Sequence, residues 1–307
     1  IVIPVPTFEM IGRYARGSGA TLVTTPWEAG RFPIDRVVDC VTKRTAMIAV
    51  VSPNNPTGAV ATAADLERLS MAAPLGVLLV DLAYTEFADE DLTRMALSLP
   101  NAVVIRTFSK AFGLAGMRVG YVAGPREAIQ AMRAAAGPYP VCGLSLAAAE
   151  AALKDTPEFL AGVVARVKKE RRALFGLLRE LGASPRDSQG NFVMAEFDDA
   201  EWVWRALAGL GIAVRRFAGD PMLDRCLRVT CPGDAISFDR LERGLRAAMR
   251  PGGLLLELDA VTPWCGDDVG AARDVGSHMV RLSSRIQIGV MTRRSRREAE
   301  EIVERLG

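Results

Sequence analysis

The sequence is nearly without histidine. Its single copy, His278, lies near the far end of the 307 residues. That excludes His-based triads and His-rich metal sites from the main body, and no metal is expected. Cysteine is scarce as well: residues 40, 142, 226, 231 and 265 form no CxxC pair. An odd number at scattered spacing points to reduced thiols in a cytoplasmic protein rather than a disulfide framework. No apolar run approaches the roughly 20 residues that span a bilayer, so no membrane is expected. Neither sign of charge prevails: 38 basic residues stand against 36 acidic ones, for a net charge of +2. Such a balance makes no case for nucleic acid or a charged membrane surface. The chain opens Ile-Val-Ile-Pro-Val-Pro, with no Met and no signal-peptide pattern. It starts inside a strand-like run, and a piece of a longer protein is expected.

What the sequence does contain is half hydrophobic residues, cut into short apolar runs that alternate with helical patterns. Strands are expected over 1–5, 20–25, 46–51, 76–80, 102–106 and 119–124, and helices over 9–16, 34–40 and 62–73. Thr62 reads as the N-cap of the last of these, with Asp65 at N3. Such alternation predicts an α/β domain with a mainly parallel central sheet. Past Pro125 the pattern changes. Helices are expected over 126–136, 144–153, 157–181, 200–210 and 237–249, with strands over 192–197, 213–216 and 226–230. This predicts a smaller α+β domain. The Gly-Pro-Tyr-Pro stretch at 137–140 marks the boundary. The expected domains are therefore 1–136, 137–250 and 251–307. The basic run at 168–172, Lys-Lys-Glu-Arg-Arg, reads as the solvated side of the long helix.

Three strands end in polar clusters: 52–58, 81–84 and 107–110. In a parallel sheet these ends share one edge and can meet. The segment 107–121 carries hydroxyls at Thr107 and Ser109, a lysine at 110, an arginine at 118 and glycines at 113, 116 and 120. Lys110 stands among small and apolar neighbours, where a lysine tends to be available as a neutral amine. An aspartate can keep a ring nitrogen protonated. An Asn amide and a Tyr hydroxyl can bond a phenolic oxygen, and Ser, Thr and Arg beside Gly-rich backbone suit a phosphate. With a lysine for a Schiff base, these groups describe a pocket for pyridoxal 5'-phosphate (PLP).

The segments Ser-Pro-Asn-Asn-Pro-Thr-Gly (52–58), Asp-Leu-Ala-Tyr (81–84) and Thr-Phe-Ser-Lys-Ala-Phe-Gly-Leu-Ala-Gly-Met-Arg-Val-Gly (107–120) resemble those of the fold-type-I PLP enzymes, aminotransferase class I/II. Within them the sequence is similar above all to the histidinol-phosphate aminotransferases. The resemblance covers residues 1–249. It implies the PLP-transferase fold, a homodimer, and transamination of L-histidinol phosphate with 2-oxoglutarate in histidine biosynthesis. It implies that Lys110 holds PLP and moves the proton, that Asp81 faces the pyridine nitrogen, and that Asn55 and Tyr84 serve the ring oxygen. It further implies a cis Asn55–Pro56 bond, phosphate contacts from Thr107, Ser109 and Arg118, and Phe8 stacked on the ring. Arg228 would take the substrate carboxylate, and Arg215 would join it to grip a phosphate; Arg216 could equally face the pocket. Asn191 sits at a family position near the site. A PLP decarboxylase of a phosphorylated amino acid and a non-catalytic remnant are the alternatives.

Two features depart from that pattern. The family's N-terminal arm, its Gly-Ser or Gly-Ala phosphate turn and the tyrosine lent by the neighbouring subunit have no counterpart in the sequence. Weaker PLP binding than in a complete enzyme is therefore expected. In addition, 253–261 resembles the opening motif of haloacid-dehalogenase-type phosphatases, and 286–295 their second motif. Glu257 stands where the nucleophilic Asp belongs, and Thr292 occupies the phosphate-binding place. A longer side chain displaces that carboxylate, so a degenerate or truncated domain is expected there.

Overall fold

The structure is a computed structural model describing residues 1–28, 30–154, 157–250, 253–257, 269–283 and 287–306. The chain divides into two compact units, Ile1–Glu242 and Arg243–Gly307.

The first unit is built on a six-stranded sheet of order β2-β1-β3-β4-β5-β6. Its strands are β1 (Val2–Val5), β2 (Val23–Pro26), β3 (Met47–Val51), β4 (Val77–Asp81), β5 (Ala102–Thr107) and β6 (Gly120–Ala123). The first five run parallel and β6 closes the edge antiparallel to β5. Neighbouring residues on the central strands point to opposite faces, yet Ile48, Ala49, Val50 and Val51 are all buried, as are Val103 and Val104. Both faces are thus covered, the reason these strands read as continuous apolar runs. On one face Leu66 and Leu69 of α3 (Ala63–Ala72) and Val37 of α2 (Ile34–Asp39) pack with Ile48, Val50, Leu78, Val80 and Val104. The expected capping box is formed: Thr62 Oγ1 accepts from Asp65 N–H, and the Asp65 carboxylate accepts from Thr62 N–H.

A second sheet, of order β7-β8-β10-β9, is antiparallel throughout. It comprises β7 (Ser184–Pro185), β8 (Phe192–Glu196), β9 (Arg215–Arg216) and β10 (Cys226–Thr230). The strand expected over 213–216 is only these two residues long. The long helix α4 (Pro157–Glu180) buries Val167, Leu174, Leu177 and Leu178, as its periodicity predicts.

The run at 168–172 departs from its expected solvated role. Only Lys169 and Arg172 face solvent. Lys168 Nζ donates to the Ala88 carbonyl at 2.8 Å and pairs with Asp89 at 3.1 Å. Arg171 donates to the carbonyls of Phe87 (3.1 Å) and Gly190 (2.9 Å). Glu170 is buried and accepts from Gly233 N–H at 2.7 Å. Charge reads as exposure only when no main-chain partner lies within reach, and these partners are distant in sequence. Burial lifts the Glu170 carboxyl above its ordinary value and pushes the nearby Cys231 thiol up to about 12.

In the second unit, strands Gly253–Glu257 and Gln287–Met291 pair in parallel, with a helix over Val269–Ser283 between them in sequence and another, Arg296–Leu306, after them. Glu257 lies in register with Met291, so Glu257 and Thr292 both stand at carboxyl ends of adjacent strands. The motif tail at 258–261, and Cys265, lie outside the described residues. His278 Nδ1 stands 2.7 Å from the Asp274 carbonyl one turn earlier in its own helix.

Candidate active site

The parallel register brings the strand ends together. Asp81, last in β4, lies opposite Val51 on one side and Ile105 on the other. The loop after β3 is set by a buried hub, Asn54. Its amide donates to the Pro6 carbonyl (2.9 Å) and to Thr57 Oγ1 (2.8 Å), and its oxygen accepts from Thr7 Oγ1 (2.8 Å). The Asn55–Pro56 bond is cis.

The loop before β8 is seated closely on this one. Gly58 adopts φ +80°, and a side chain there would lie 2.7 Å from Ser188 Cα. Gln189 N–H donates to the Gly58 carbonyl at 2.8 Å. Gly58→Ala is therefore expected to cost more than about 2 kcal/mol, combining left-handed strain with backbone overlap. Urea unfolding of the variant would check this, and wild-type stability would contradict the tight seat.

A cleft of about 700 Å³ opens between the sheets, with Phe8, Asn55, Tyr84, Lys110, Arg215 and Arg228 on its wall. The Lys110 ammonium stands 5.1 Å from the Tyr84 ring centroid. Tyr84, buried, meets Phe192 edge-on at 5.3 Å, and the Arg228 guanidinium lies over Phe192 at 5.0 Å. Arg228 Nη1 donates to Asn55 Oδ1 at 2.5 Å, while its Nε is buried with no partner. Burial holds the guanidinium below its usual pKa and Arg215 pushes the same way, with Tyr84 opposing. Arg215 lies directly opposite Arg228 across the β9–β10 pair. Its neighbour Arg216 turns away, to Glu201 at 3.2 Å and the Trp204 ring.

Other expected residues stand off the wall. Asp81 is buried beneath it and accepts from Ala83 N–H at 3.0 Å. Desolvation raises its pKa; the Ala83 hydrogen bond and the charge of Lys110 oppose that rise. Thr107 Oγ1 accepts from Ser109 N–H, and Arg118, at φ 52°, donates to the Ala115 carbonyl. Asn191 contributes its backbone carbonyl to Cys231 N–H.

One surrounding differs from expectation. Lys110 is exposed, not enclosed by its apolar sequence neighbours. Phe112, Leu114 and Val119 pack instead with Phe108 and Ala149 in a small cluster of their own. Sequence reasoning passed over Glu9, Arg13 and Arg16, which also line the cleft. Their spacing of three and four on α1 (Glu9–Gly17) was the available signal.

Residues 1–243 match the family described as aminotransferase class I and II. The chain belongs to that family. Among relatives of this aminotransferase-family chain is a histidinol-phosphate aminotransferase of Paracoccus denitrificans, 39% identical over 76% of the chain and 64% of the relative. Another is an aromatic amino acid aminotransferase of Streptomyces avermitilis, 38% identical over 70% of the chain and 61% of the relative. The chain thus spans somewhat less than two thirds of the length of these relatives. The crystal structure of histidinol-phosphate aminotransferase from Sinorhizobium meliloti in complex with pyridoxal-5'-phosphate aligns with a TM-score of 0.71. It is 27% identical, over 81% of this chain and 70% of that one. No described helix is long and apolar enough to cross a membrane.

Proposed function

We propose that this chain carries the site of a PLP-dependent aminotransferase for an amine with an anionic handle, with L-histidinol phosphate and 2-oxoglutarate as the substrate pair. The observation that carries the reading is the facing pair Arg215 and Arg228 on the same cleft as Lys110, with the buried Nε of Arg228 unpaired. An unpaired buried donor of a guanidinium is costly unless an acceptor arrives, and a substrate anion is such an acceptor.

The donor set suits PLP. Asp81, buried and carrying a raised pKa beside Lys110, would meet a ring N–H with a carboxylate that gains from a cationic partner. Lys110 would hold the group covalently, Asn55 and Tyr84 its ring oxygen, Thr107, Ser109 and Arg118 its phosphate, and Phe8 one ring face. When bound, PLP supplies an electron sink for the bond broken at the substrate Cα. Lys110 takes the Cα proton as general base and returns it at the far end of the path. Tyr84 and Asn55 would hold the ring-oxygen side, and Arg228, steadied by Phe192 and Asn55, would orient the substrate. In this reading residues 1–136 hold the cofactor, 137–250 supply the substrate arginines, and the working form is a cytoplasmic homodimer. The tail at 251–307 is read as a degenerate phosphatase-like segment.

The direct test is amino transfer from L-histidinol phosphate to 2-oxoglutarate, read as glutamate formed by the PLP-loaded chain. If both arginines grip phosphate, the phosphorylated amine should exceed histidinol by at least about a hundredfold in kcat/KM. Charge-assisted bonds contribute roughly 1.5–3 kcal/mol each. Arg215→Ala should remove most of that preference and leave simple carboxylate substrates little changed. Equal rates for the two amines would overturn the phosphate assignment.

A further inference from the structure

The cleft mouth holds a carboxylate that this reaction does not require. Glu9 opens α1, and its two oxygens face two arginines: Oε2 lies 3.1 Å from Arg13 and Oε1 lies 3.7 Å from Arg215. All three side chains are at least half exposed. The bridge joins a helix packed on the parallel sheet to a strand of the antiparallel one. Deeper in the cleft, Arg228 has no acidic partner among the described residues; its bonded neighbour is the neutral Asn55. The two arginines of the pair are therefore unequal. One is neutralised by a movable counterion, and the other waits for an anion.

That inequality answers a problem posed by any two-substrate exchange in one cleft: successive substrates need not carry the same distal group. An uncompensated Arg215 would favour distal anions and penalise substrates that lack one. Glu9 supplies the missing charge for the latter and repels the former. On the reading of Arg215 and Arg228 as the anion receptor, we infer that Glu9 is a specificity-determining residue, an internal counterion that sets how strongly the site prefers an anionic handle. Arg13 divides the Glu9 carboxylate and so moderates it. An exposed ion pair of this kind shifts affinity by a modest factor and is screened by salt.

The experiment measures binding of inorganic phosphate by calorimetry to the PLP-loaded chain, in which the cofactor's own phosphate site is filled, at low and high salt. Glu9→Gln should tighten phosphate by about two- to fivefold at low salt, with the gain shrinking in 0.5 M salt. Arg13→Ala, which leaves Glu9 wholly to Arg215, should weaken it. In an Arg215→Ala background the gain from Glu9→Gln should shrink, leaving only the direct repulsion between Glu9 and phosphate. The ratio of kcat/KM for histidinol phosphate over histidinol should rise in Glu9→Gln by the same factor. If phosphate binds the wild type and Arg215→Ala weakens it while Glu9→Gln has no effect, the counterion role is overturned and the receptor stands. If phosphate binding is absent, or indifferent to Arg215→Ala, the receptor reading itself falls.

Discussion

Lys110→Ala is expected to reduce amino transfer by at least about 10⁴-fold, the upper range for a positioned general base, because the covalent attachment proposed for Lys110 is lost with it. Lys110 is the lysine on the cleft wall, with its ammonium over Tyr84. Other titratable groups nearby are otherwise engaged: Asp81 is buried beneath the wall, Glu9 is paired with Arg13 at the cleft mouth, and the arginines do not give up protons. A second readout separates this role from a structural one. Borohydride treatment of the PLP-loaded wild type should leave a pyridoxyl group on the peptide containing Lys110, and the variant should carry none. Because Lys110 is exposed and its side chain makes no hydrogen bond within the described structure, the variant should unfold near the wild-type temperature. Retained turnover, or a pyridoxyl group elsewhere, would remove Lys110 from the chemistry.

Asp81→Asn carries the second large effect, a loss of roughly 10²–10³ in turnover, the scale of removing one preorganised electrostatic stabiliser. The same change should stabilise the cofactor-free protein at neutral pH. Burial raises the folded-state pKa of Asp81. The folded chain therefore binds more protons than the unfolded chain between the two values, and stability falls as pH rises through that window. The contribution is fully present below the unfolded carboxylate pKa and lost above the folded one. An asparagine keeps an oxygen for the Ala83 N–H bond at 3.0 Å and carries no charge to desolvate. Thermal unfolding between pH 4 and 8 without PLP should show the variant's advantage growing with pH. A variant equal to wild type in turnover would contradict the electrostatic role, and one less stable at every pH would contradict the desolvation argument.

These two residues were legible in the sequence because parallel strands put their ends on one edge, and each end carried polar residues after an apolar run. The capping box at Thr62 and Asp65 was legible for a similar reason: it depends on spacing alone. What periodicity could not reach was contact across distance. Lys168 and Ala88 are 80 residues apart, and a charged run offers no sign that a main-chain carbonyl awaits it. The apolar neighbours of Lys110 suggested enclosure, but residues adjacent in a loop point different ways, and theirs was a separate cluster. Glu9 escaped notice because its significance comes from Arg215, which reaches it only once β9 lies beside β10.

The strap formed by Lys168 and Arg171 has a kinetic consequence. It ties α4 at once to the 87–89 turn after β4 and to Gly190 before β8, so the two walls of the cleft are held at a set spacing. Substrate capture then calls for no swinging of one sheet against the other on the microsecond-to-millisecond scale of hinge motion. The parts free to yield are the exposed side chains of the rim, Arg13, Arg16 and Arg215, which change rotamer in picoseconds to nanoseconds. Association with an anionic substrate should accordingly run at a rate set by diffusion and by the field of those arginines, and slow as ionic strength rises.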